Sequence, residues 1–424
     1  MVRGALSCAP CSLPGPNALT ATAAPRKAAL IFIFITVALD ILAIGLIIPV
    51  LPPLIAGFFP NAAEGALVYG WFVTIFGLMQ FLASPLLGAL SDRFGRRPVI
   101  LLSNLGLGLD YIFMALAQTL PLLFLGRIIG GITSASIATA NAYIADVTPP
   151  EKRAASFGLI GAAFGIGFVV GPAVGGLLGS IDARLPFWVA AGLSLANFLY
   201  GYFVLPESLP AERRHRFEWK RANPIGALVW LKDFPQVFGL AGASFLSVLA
   251  HAVFPATFVL YAAHRYGWNA RDIGFTLAFV GVLSALVQGG LVRRVIPMIG
   301  ERRALLAGFG FAVVGFIGYG WAPTGPWLWI VMPLLALWGL AGPSLQSLMT
   351  RQIDPTEQGR LQGALASMGA IAGVIGPYLF TRVYSAGIDP ARAEQLPGAA
   401  FYLAAIAVAM AFMLGYWASR ERKA

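Results

Sequence analysis

The chain has little charge and almost no cysteine for its length. Only 11% of its 424 residues are charged and 58% are hydrophobic, whereas a soluble domain usually carries about 25% charged residues. Its two cysteines, Cys8 and Cys11, stand in the N-terminal tail without enough neighbouring ligands for a zinc site. This balance excludes an ordinary soluble domain and predicts a chain that crosses a membrane many times.

The net charge of +11 does not indicate a nucleic-acid partner. Basic residues occur in short turns between apolar segments, not on one basic face with interleaved aromatic residues. The polar turns contain no metal-ligand cluster, no nucleophile beside a base and no phosphate-binding loop. We therefore expect no enzyme activity, no cofactor, no resident metal and no obligate protein partner.

Twelve apolar segments follow the tail, and each is long enough to cross about 30 Å of hydrocarbon at about 1.5 Å per residue. They are predicted at 28–54, 66–90, 98–118, 121–145, 154–179 and 185–205, then at 236–263, 272–292, 303–321, 326–348, 362–384 and 398–418.

The longest polar connection divides these segments six and six. We expect an all-α polytopic membrane protein with twelve transmembrane helices in two pseudo-symmetric six-helix bundles. Its predicted parts are a disordered cytoplasmic tail (1–27), a first bundle (28–205), a central cytoplasmic loop (206–235), a second bundle (236–418) and a cytoplasmic C-terminus (419–424).

The positions of the basic residues predict the orientation. With both termini in the cytoplasm, 23 of the 29 Lys and Arg residues fall in cytoplasmic turns or tails. Such an excess is typical of the cytoplasmic side of a membrane protein. We expect a multi-pass protein of the plasma (inner) membrane, with the lipid bilayer as its surroundings.

The turn between the second and third segments reads GALSDRFGRRP, with one acid, three arginines and a turn glycine. It resembles the loop between helices two and three of the major facilitator superfamily. The functional interpretation is a latch that holds one conformation shut, and the alternative is charge that only sets topology. The predicted latch comprises Gly88, Asp92, Arg93, Gly95, Arg96, Arg97 and Asp146, the acid that ends segment four.

The fifth segment is rich in glycine, which could simply allow close helix packing. Its sequence GFVVGPAVGG also resembles the antiporter motif of the same superfamily. The matching residues are Gly167, Gly171, Pro172, Gly175 and Gly176. The resemblance favours an antiporter over an uptake symporter.

Four ionisable residues lie inside the segments: Asp40, Asp110, Arg127 and His251. An acid at the bilayer centre costs about 2.5–3.5 kcal/mol on insertion scales, so each suggests a function. Asp40, Asp110 and Arg127 fall at similar depth. A fixed ion pair of Asp110 with Arg127 and a satisfied core histidine at His251 are the alternatives.

Asp40 has no cation assigned to it, so we predict it to be the proton-coupling carboxylate, with Asp110 and Arg127 as its electrostatic setting. Substrate-binding candidates are polar side chains near the midplane, although buried amides also join helices. These candidates are Gln80, Asn104, His251 and Gln346.

A narrower resemblance follows from the first, third and fourth segments. LDILAIGLIIPVLP, LDY and GRIIGGIT are similar to the tetracycline efflux family. This resemblance implies exchange of a cationic drug complex for protons. The chain departs from the family at Ala312, where the family carries an acid.

The sequence therefore predicts proton-coupled export of a drug-like or amphipathic small molecule by alternating access. One alternative is a proton-coupled symporter that takes up a nutrient, which the antiporter motif disfavours. Another is a membrane receptor without transport activity, which would not need acids at the midplane.

Overall fold

The computed structural model describes residues 23–134, 136–149, 153–210, 214, 231–354 and 357–420, and every regular element in these ranges is a helix. Cys8, Cys11, most of the tail and most of the central loop lie outside these ranges. Helices suit a membrane because they pair their own backbone groups where no water is present.

The first half contains six spans. Span 1 consists of two helices, Ala23–Ile47 and Leu51–Ala56, and span 4 consists of Leu120–Thr133 and Ser136–Val147. The remaining spans of this half are single helices: span 2 (Ala62–Phe94), span 3 (Arg96–Leu116), span 5 (Arg153–Ile181) and span 6 (Leu185–Val204).

The second half contains the other six spans. These are span 7 (Pro235–Tyr266), span 8 (Ala270–Ile299), span 9 (Glu301–Trp321), span 10 (Gly325–Thr350), span 11 (Gln358–Gly387) and span 12 (Ala399–Ala418). Spans 7 and 8 each contain a π-helical turn, at Phe254–Phe258 and at Val287–Leu291. Such turns widen a helix and often accompany functional sites.

The predicted twelve-span fold is confirmed, with local differences. Within the described ranges, eleven helices are long and apolar enough to cross a membrane, and the broken span 4 is the twelfth crossing. Span 1 begins at Ala23, so the last residues of the predicted 1–27 tail are helical. Span 1 breaks after Ile47 because Pro49 lacks a backbone N–H, and the chain turns before Leu51.

Two seams join the halves: span 2 packs along span 11, and span 5 packs along span 8. We call the end of the molecule that contains Asp92–Arg97 the motif end, and the other end the closed end. At the closed end Ser385 Oγ donates to the Ala63 carbonyl at 2.7 Å. Farther along, the rings of Trp71 and Tyr378 lie 4.6 Å apart.

The seams separate toward the motif end. A Cβ on Gly176 of span 5 would lie 2.9 Å from Gly274 of span 8, near the closed end. A Cβ on Gly88 of span 2 or on Gly363 of span 11 would meet no described atom within 4 Å. The space between the halves is therefore closed at one end and open at the motif end.

Candidate functional site

Asp40 lies in span 1 against span 6, and its side chain is buried. Its Oδ1 accepts a hydrogen bond from Asn197 Nδ2 at 3.0 Å, and the same amide donates to the Thr36 carbonyl at 3.0 Å. In the described part of the chain Asp40 forms no ion pair. Asn197 was not predicted, although an amide inside an apolar span was a signal for it.

Asp110 is also buried, on the face of span 3 that packs against span 4. Gly130 makes room for it, because a Cβ there would lie 2.7 Å from Asp110 Oδ2. Asp110 Oδ1 has no hydrogen-bond partner among the described residues. The carboxylate is thus held by packing rather than by donors.

Arg127 does not form the fixed ion pair that was one interpretation of this site. Its guanidinium lies over the Phe76 ring at 3.8 Å, and its Nε has no partner in the described residues. Asp110, Tyr69 and Tyr111 lie near enough to interact with its charge. Arg127 is therefore an electrostatic neighbour of Asp110, and it forms a cation–π contact with Phe76.

Among the residues that the structure describes, buried polar groups without a partner are concentrated in the first half. A buried polar atom usually has a hydrogen bond, so such a group calls for an explanation. The atoms that lie near Asp40, Asp110 and Arg127, or along the same spans, are Thr36 Oγ1, Thr74 Oγ1, Asn104 Oδ1, Asp110 Oδ1, Arg127 Nε, Thr139 Oγ1, Ser194 Oγ and Asn197 Oδ1. This half has the spare hydrogen-bonding capacity that a proton or a polar ligand needs.

The substrate-binding candidates occupy different places. Gln80 Nε2 donates to Ser134 Oγ at 3.4 Å, which joins spans 2 and 4. Asn104 is buried in span 3, and Gln346 is half-buried near the motif end of span 10. His251 is in the middle of span 7, is exposed, and lies beside the rings of Phe254 and Trp338. The structure does not bring the four together.

The glycines of the antiporter motif form the contacts of span 5 with two neighbours. A Cβ at Gly171 would lie 2.7 Å from Gly45 of span 1, and Gly175 packs against Leu46 of the same span. Gly176 faces span 8, as described above. Gly167 and Pro172 lie on the same helix, next to Ile41 and Gly274. The motif thus lets span 5 pack tightly on both sides.

Arg96 is the centre of the predicted latch. Its NH1 donates to Ser91 Oγ at 2.6 Å and pairs with Asp92 at 2.6 Å. Its Nε pairs with Asp146 at 3.1 Å, so the expected contact between this turn and span 4 is present. The arginine is nearly buried, which strengthens both ion pairs.

Glu207 completes this cluster and was not predicted. Its carboxylate accepts from the backbone N–H of Arg96 at 2.8 Å and of Arg97 at 3.3 Å, at the start of span 3. An anion is favoured there by the helix dipole. The signal in the sequence was the first acid after span 6. Arg97 also donates to the Tyr202 carbonyl at 2.6 Å.

All of these latch contacts lie within the first half. Gly95 turns the chain with φ of 107°, a region that favours glycine, and Arg93 is exposed over the Phe94 ring. In the described residues, Asp92, Arg96 and Asp146 touch no group of the second half. A latch between the halves is not engaged in this conformation and stays a prediction.

Comparison with known proteins agrees with this architecture. The sequence profile of the Major Facilitator Superfamily matches residues 33–377. The chain is 41% identical to the class C tetracycline resistance protein of Escherichia coli over 88% of this chain and 94% of that one. It is 37% identical to the class B protein of Escherichia coli, over 89% and 94% of the two chains.

Solved structures resemble it along nearly its full length. The human organic anion transporter MFSD10 (TETRAN) has a TM-score of 0.69 and 25% identity, and the match covers 92% of this chain and 99% of that one. An inward-facing, occupied bacterial homologue of the human lysosomal transporter Spinster has a TM-score of 0.73, 18% identity and coverage of 95% and 100%. At 18% identity, the match to the Spinster homologue shows only that the two chains share a fold.

The two six-span bundles and these matches define a membrane transporter, not an enzyme. The chain belongs to the Major Facilitator Superfamily and, within it, to the family of the tetracycline resistance proteins.

Proposed function

We propose that this transporter exports a drug-like, amphipathic small molecule in exchange for protons. The observation that carries the proposal is Asp40, a buried carboxylate with one amide donor and no cation partner among the described residues. Desolvation favours the neutral form of a carboxylate and hydration favours its charged form. If the cavity opens first at one end and then at the other, Asp40 would be hydrated from each side of the membrane in turn. It would then release a proton on one side and bind a proton on the other.

We propose that the motif end faces the cytoplasm in the inner membrane, because the arginine excess lies there. The conformation described above is then open to the cytoplasm, where an exporter collects its substrate. Tags on the two termini should be protected from an impermeant protease in intact cells. Cleavage of either tag would contradict this orientation.

The formal charges of Asp40, Asp110 and Arg127 sum to −1 in the first half when both acids are ionised. A cationic substrate and a proton would therefore compete for these three charged residues, and the exchange of substrate for protons requires such competition. The relatives' name suggests tetracycline as a substrate, but Ala312 is fully buried and provides no charge where the resemblance implies an acid. We expect magnesium-dependent tetracycline uptake by inside-out vesicles to be weak, and robust uptake would show this expectation wrong.

The test of the proposal is transport in proteoliposomes with an imposed pH gradient. Asp40→Asn keeps the size of the side chain but cannot ionise, so it should abolish gradient-driven accumulation while substrate exchange without a gradient remains. Asp182→Asn is the matched control, because Asp182 is an exposed acid just after span 5.

Accumulation against a gradient by Asp40→Asn would exclude Asp40 as the coupling group. Movement of substrate in the same direction as the proton in the wild-type protein would instead indicate an uptake symporter.

A further inference from the structure

Spans 9 and 12 meet at the motif end of the second half. A Cβ on Gly415 of span 12 would lie 3.4 Å from the Leu305 side chain of span 9. Nearer the motif end, Arg302 Nε of span 9 donates a hydrogen bond to Ser419 Oγ, just after span 12, at 3.3 Å. The start of span 9 and the end of span 12 therefore form one continuous surface. Span 12 packs mainly against spans 7 and 9 of its own half, so this surface lies away from the two seams.

Two arginines on this surface contact the same aromatic ring. The Arg420 guanidinium lies 4.4 Å from the Tyr416 ring centroid and donates to its hydroxyl at 2.7 Å. It also lies 4.5 Å from the Trp417 ring centroid. The Arg302 guanidinium lies 5.4 Å from the same Tyr416 ring. Cation–π contacts hold the two guanidiniums in place without neutralising them. We call these four residues the arginine–aromatic site (Arg302, Tyr416, Trp417, Arg420).

The positive charge of the arginine–aromatic site is not balanced within the described residues. Neither Arg302 nor Arg420 forms an ion pair there. Glu301, which precedes Arg302, instead accepts from Ser347 Oγ and pairs with Arg351, each at 2.6 Å. Arg302 also lies in the first turn of span 9, where the helix dipole disfavours a cation. An anion bound at this surface would relieve both costs.

Further basic residues surround the arginine–aromatic site in the sequence. Arg303, beside Arg302, is exposed. After Arg420 the sequence continues ERKA, with two basic residues and one acid. Clusters of about four to eight basic residues beside a membrane span are typical of binding to anionic lipids. The composition of this surface therefore favours an anionic partner.

Toward the middle of span 12, the same surface becomes an apolar stripe. Its exposed side chains are Met410, Met413, Leu414 and Trp417. Their spacings of three and four residues place them on one face of the helix, and Arg420 continues that face. A tryptophan between apolar side chains and a charged end is typical of the membrane–water interface. The stripe can therefore contact acyl chains while the arginines contact a headgroup.

We propose that the arginine–aromatic site binds the headgroup of one anionic phospholipid. The two guanidiniums donate to the phosphate oxygens, a geometry to which the planar donors of arginine are suited. The acyl chains lie along the apolar stripe of span 12. An inorganic phosphate ion offers the same oxygens but would leave the stripe unused, so the partner is the lipid. The bound lipid joins the ends of spans 9 and 12, a role that is independent of the exchanged substrate.

Native mass spectrometry of the purified, delipidated full chain in detergent tests the proposal. The chain is titrated with phosphatidylglycerol, which is anionic, and with zwitterionic phosphatidylcholine that has the same acyl chains. We expect the first phosphatidylglycerol to bind at least tenfold more tightly. Arg302→Gln combined with Arg420→Gln should weaken that binding about thirtyfold, because each basic residue near an anionic lipid contributes roughly a fivefold factor. Binding of phosphatidylcholine should not change.

Arg382→Gln combined with Arg392→Gln is the matched control. The pair removes the same net charge from exposed positions at the closed end. Arg382 also donates to a tyrosine four residues earlier, Tyr378, at 2.9 Å. The control should leave the Kd of phosphatidylglycerol unchanged.

Tyr416 distinguishes an organised site from diffuse positive charge. Tyr416→Leu keeps both arginines but removes the ring that both contact, so the Kd should rise about fivefold. Tyr416→Phe keeps the ring and should raise the Kd about twofold. The Tm of each variant reports whether it is folded, and Tyr416→Leu provides the test should the double arginine variant not fold.

Equal affinity for the two lipids, an unchanged Kd in the folded double arginine variant or in Tyr416→Leu, or an equal loss in the control would each overturn the proposal. Displacement of phosphatidylglycerol by an equimolar concentration of inorganic phosphate would also overturn it, because the partner would then be the free ion.

Discussion

The two halves of this transporter share a fold but differ in chemistry. Among the described residues, the first half buries two acids, with the half-buried Arg127 near them, together with polar atoms that have no partner. The second half instead buries an aromatic core in spans 9 and 12, with Phe316, Tyr319 and Phe401 fully or almost fully covered. The difference suggests a division of labour, with proton handling in the first half and recognition of a hydrophobic substrate in the second.

The free-energy cost of burial explains why the buried charges and the aromatic core lie in different halves. A buried charge needs polar neighbours and some freedom to rearrange when it changes protonation state. An aromatic core gains free energy from dense packing and loses it when a ring is displaced. Placing both in one bundle would weaken each, whereas two bundles around one cavity let the substrate contact both.

Arg127→Ala should produce the largest effect, because it removes the only cation near Asp110 in the described residues. We expect transport to fall more than a hundredfold and the Tm to drop, since a buried acid is left without a compensating charge. Activity in proteoliposomes and thermal unfolding are the measurements. Arg392→Ala, at an exposed position after span 11, is the control.

A double variant sharpens this test. Asp110→Asn combined with Arg127→Ala removes both charges, so the Tm should recover while transport stays low. An equal Tm for Arg127→Ala and the wild-type protein would show that the stability of the first half does not depend on the balance of these charges.

Asp92→Asn should have the next largest effect on transport, about tenfold, with normal expression. Asp92 is half-exposed and pairs with Arg96, so its loss costs little stability. It should instead change the balance between the conformations that the latch distinguishes. Unchanged transport by Asp92→Asn would leave the motif with a role in topology alone.

Depth along a helix could be predicted from the sequence, but rotation about its axis could not. Counting residues placed Asp110 and Arg127 near one another, and topology paired the turn with Asp146, which Arg96 contacts. Which face of a span meets which neighbour depends on packing between distant segments. For that reason the contacts of Asn197 with Asp40 and of Phe76 with Arg127 were not predicted.

The amide side chains show what depth along a span could predict and what it could not. Gln80 and Asn104 were selected by depth, yet Gln80 bonds another side chain of its own half and Asn104 is buried. Amides are equally suited to joining helices and to binding a ligand, so residue type alone cannot separate the two roles. His251 was selected as a substrate-binding candidate, but its contacts with Phe254 and Trp338 were not predicted, because aromatic residues are common throughout the chain.

Asn197→Leu tests whether Asp40 is positioned for coupling. The substitution has similar volume but removes the amide that holds the carboxylate, so we expect about a tenfold loss of accumulation driven by a pH gradient. Exchange without a gradient should change less than twofold. Asn197→Gln keeps an amide at this position and should restore part of the loss. An equal loss of both activities in a folded protein would point to a structural role only.

The smallest expected effect concerns Tyr69, which joins the two halves. Its hydroxyl donates to the Pro255 carbonyl in the π-helical turn of span 7 and lies near the charge of Arg127. It therefore connects that turn with the charged residues of the first half. Tyr69→Phe removes the hydrogen bond and keeps the ring. One such bond contributes about 1 kcal/mol, so the closed end should open about fivefold more often.

A single cysteine at Ala63, with Cys8 and Cys11 changed to serine, reports this opening. Ala63 is buried at the closed end, where its carbonyl accepts a hydrogen bond from Ser385 of span 11. In Tyr69→Phe an impermeant thiol reagent should label it three- to fivefold faster, since labelling follows the population of the open state. Tyr202→Phe, an exposed tyrosine of span 6, should not change the rate. Equal labelling rates in wild-type protein and Tyr69→Phe would mean that the apolar contacts of spans 2 and 11 hold the closed end without this bond.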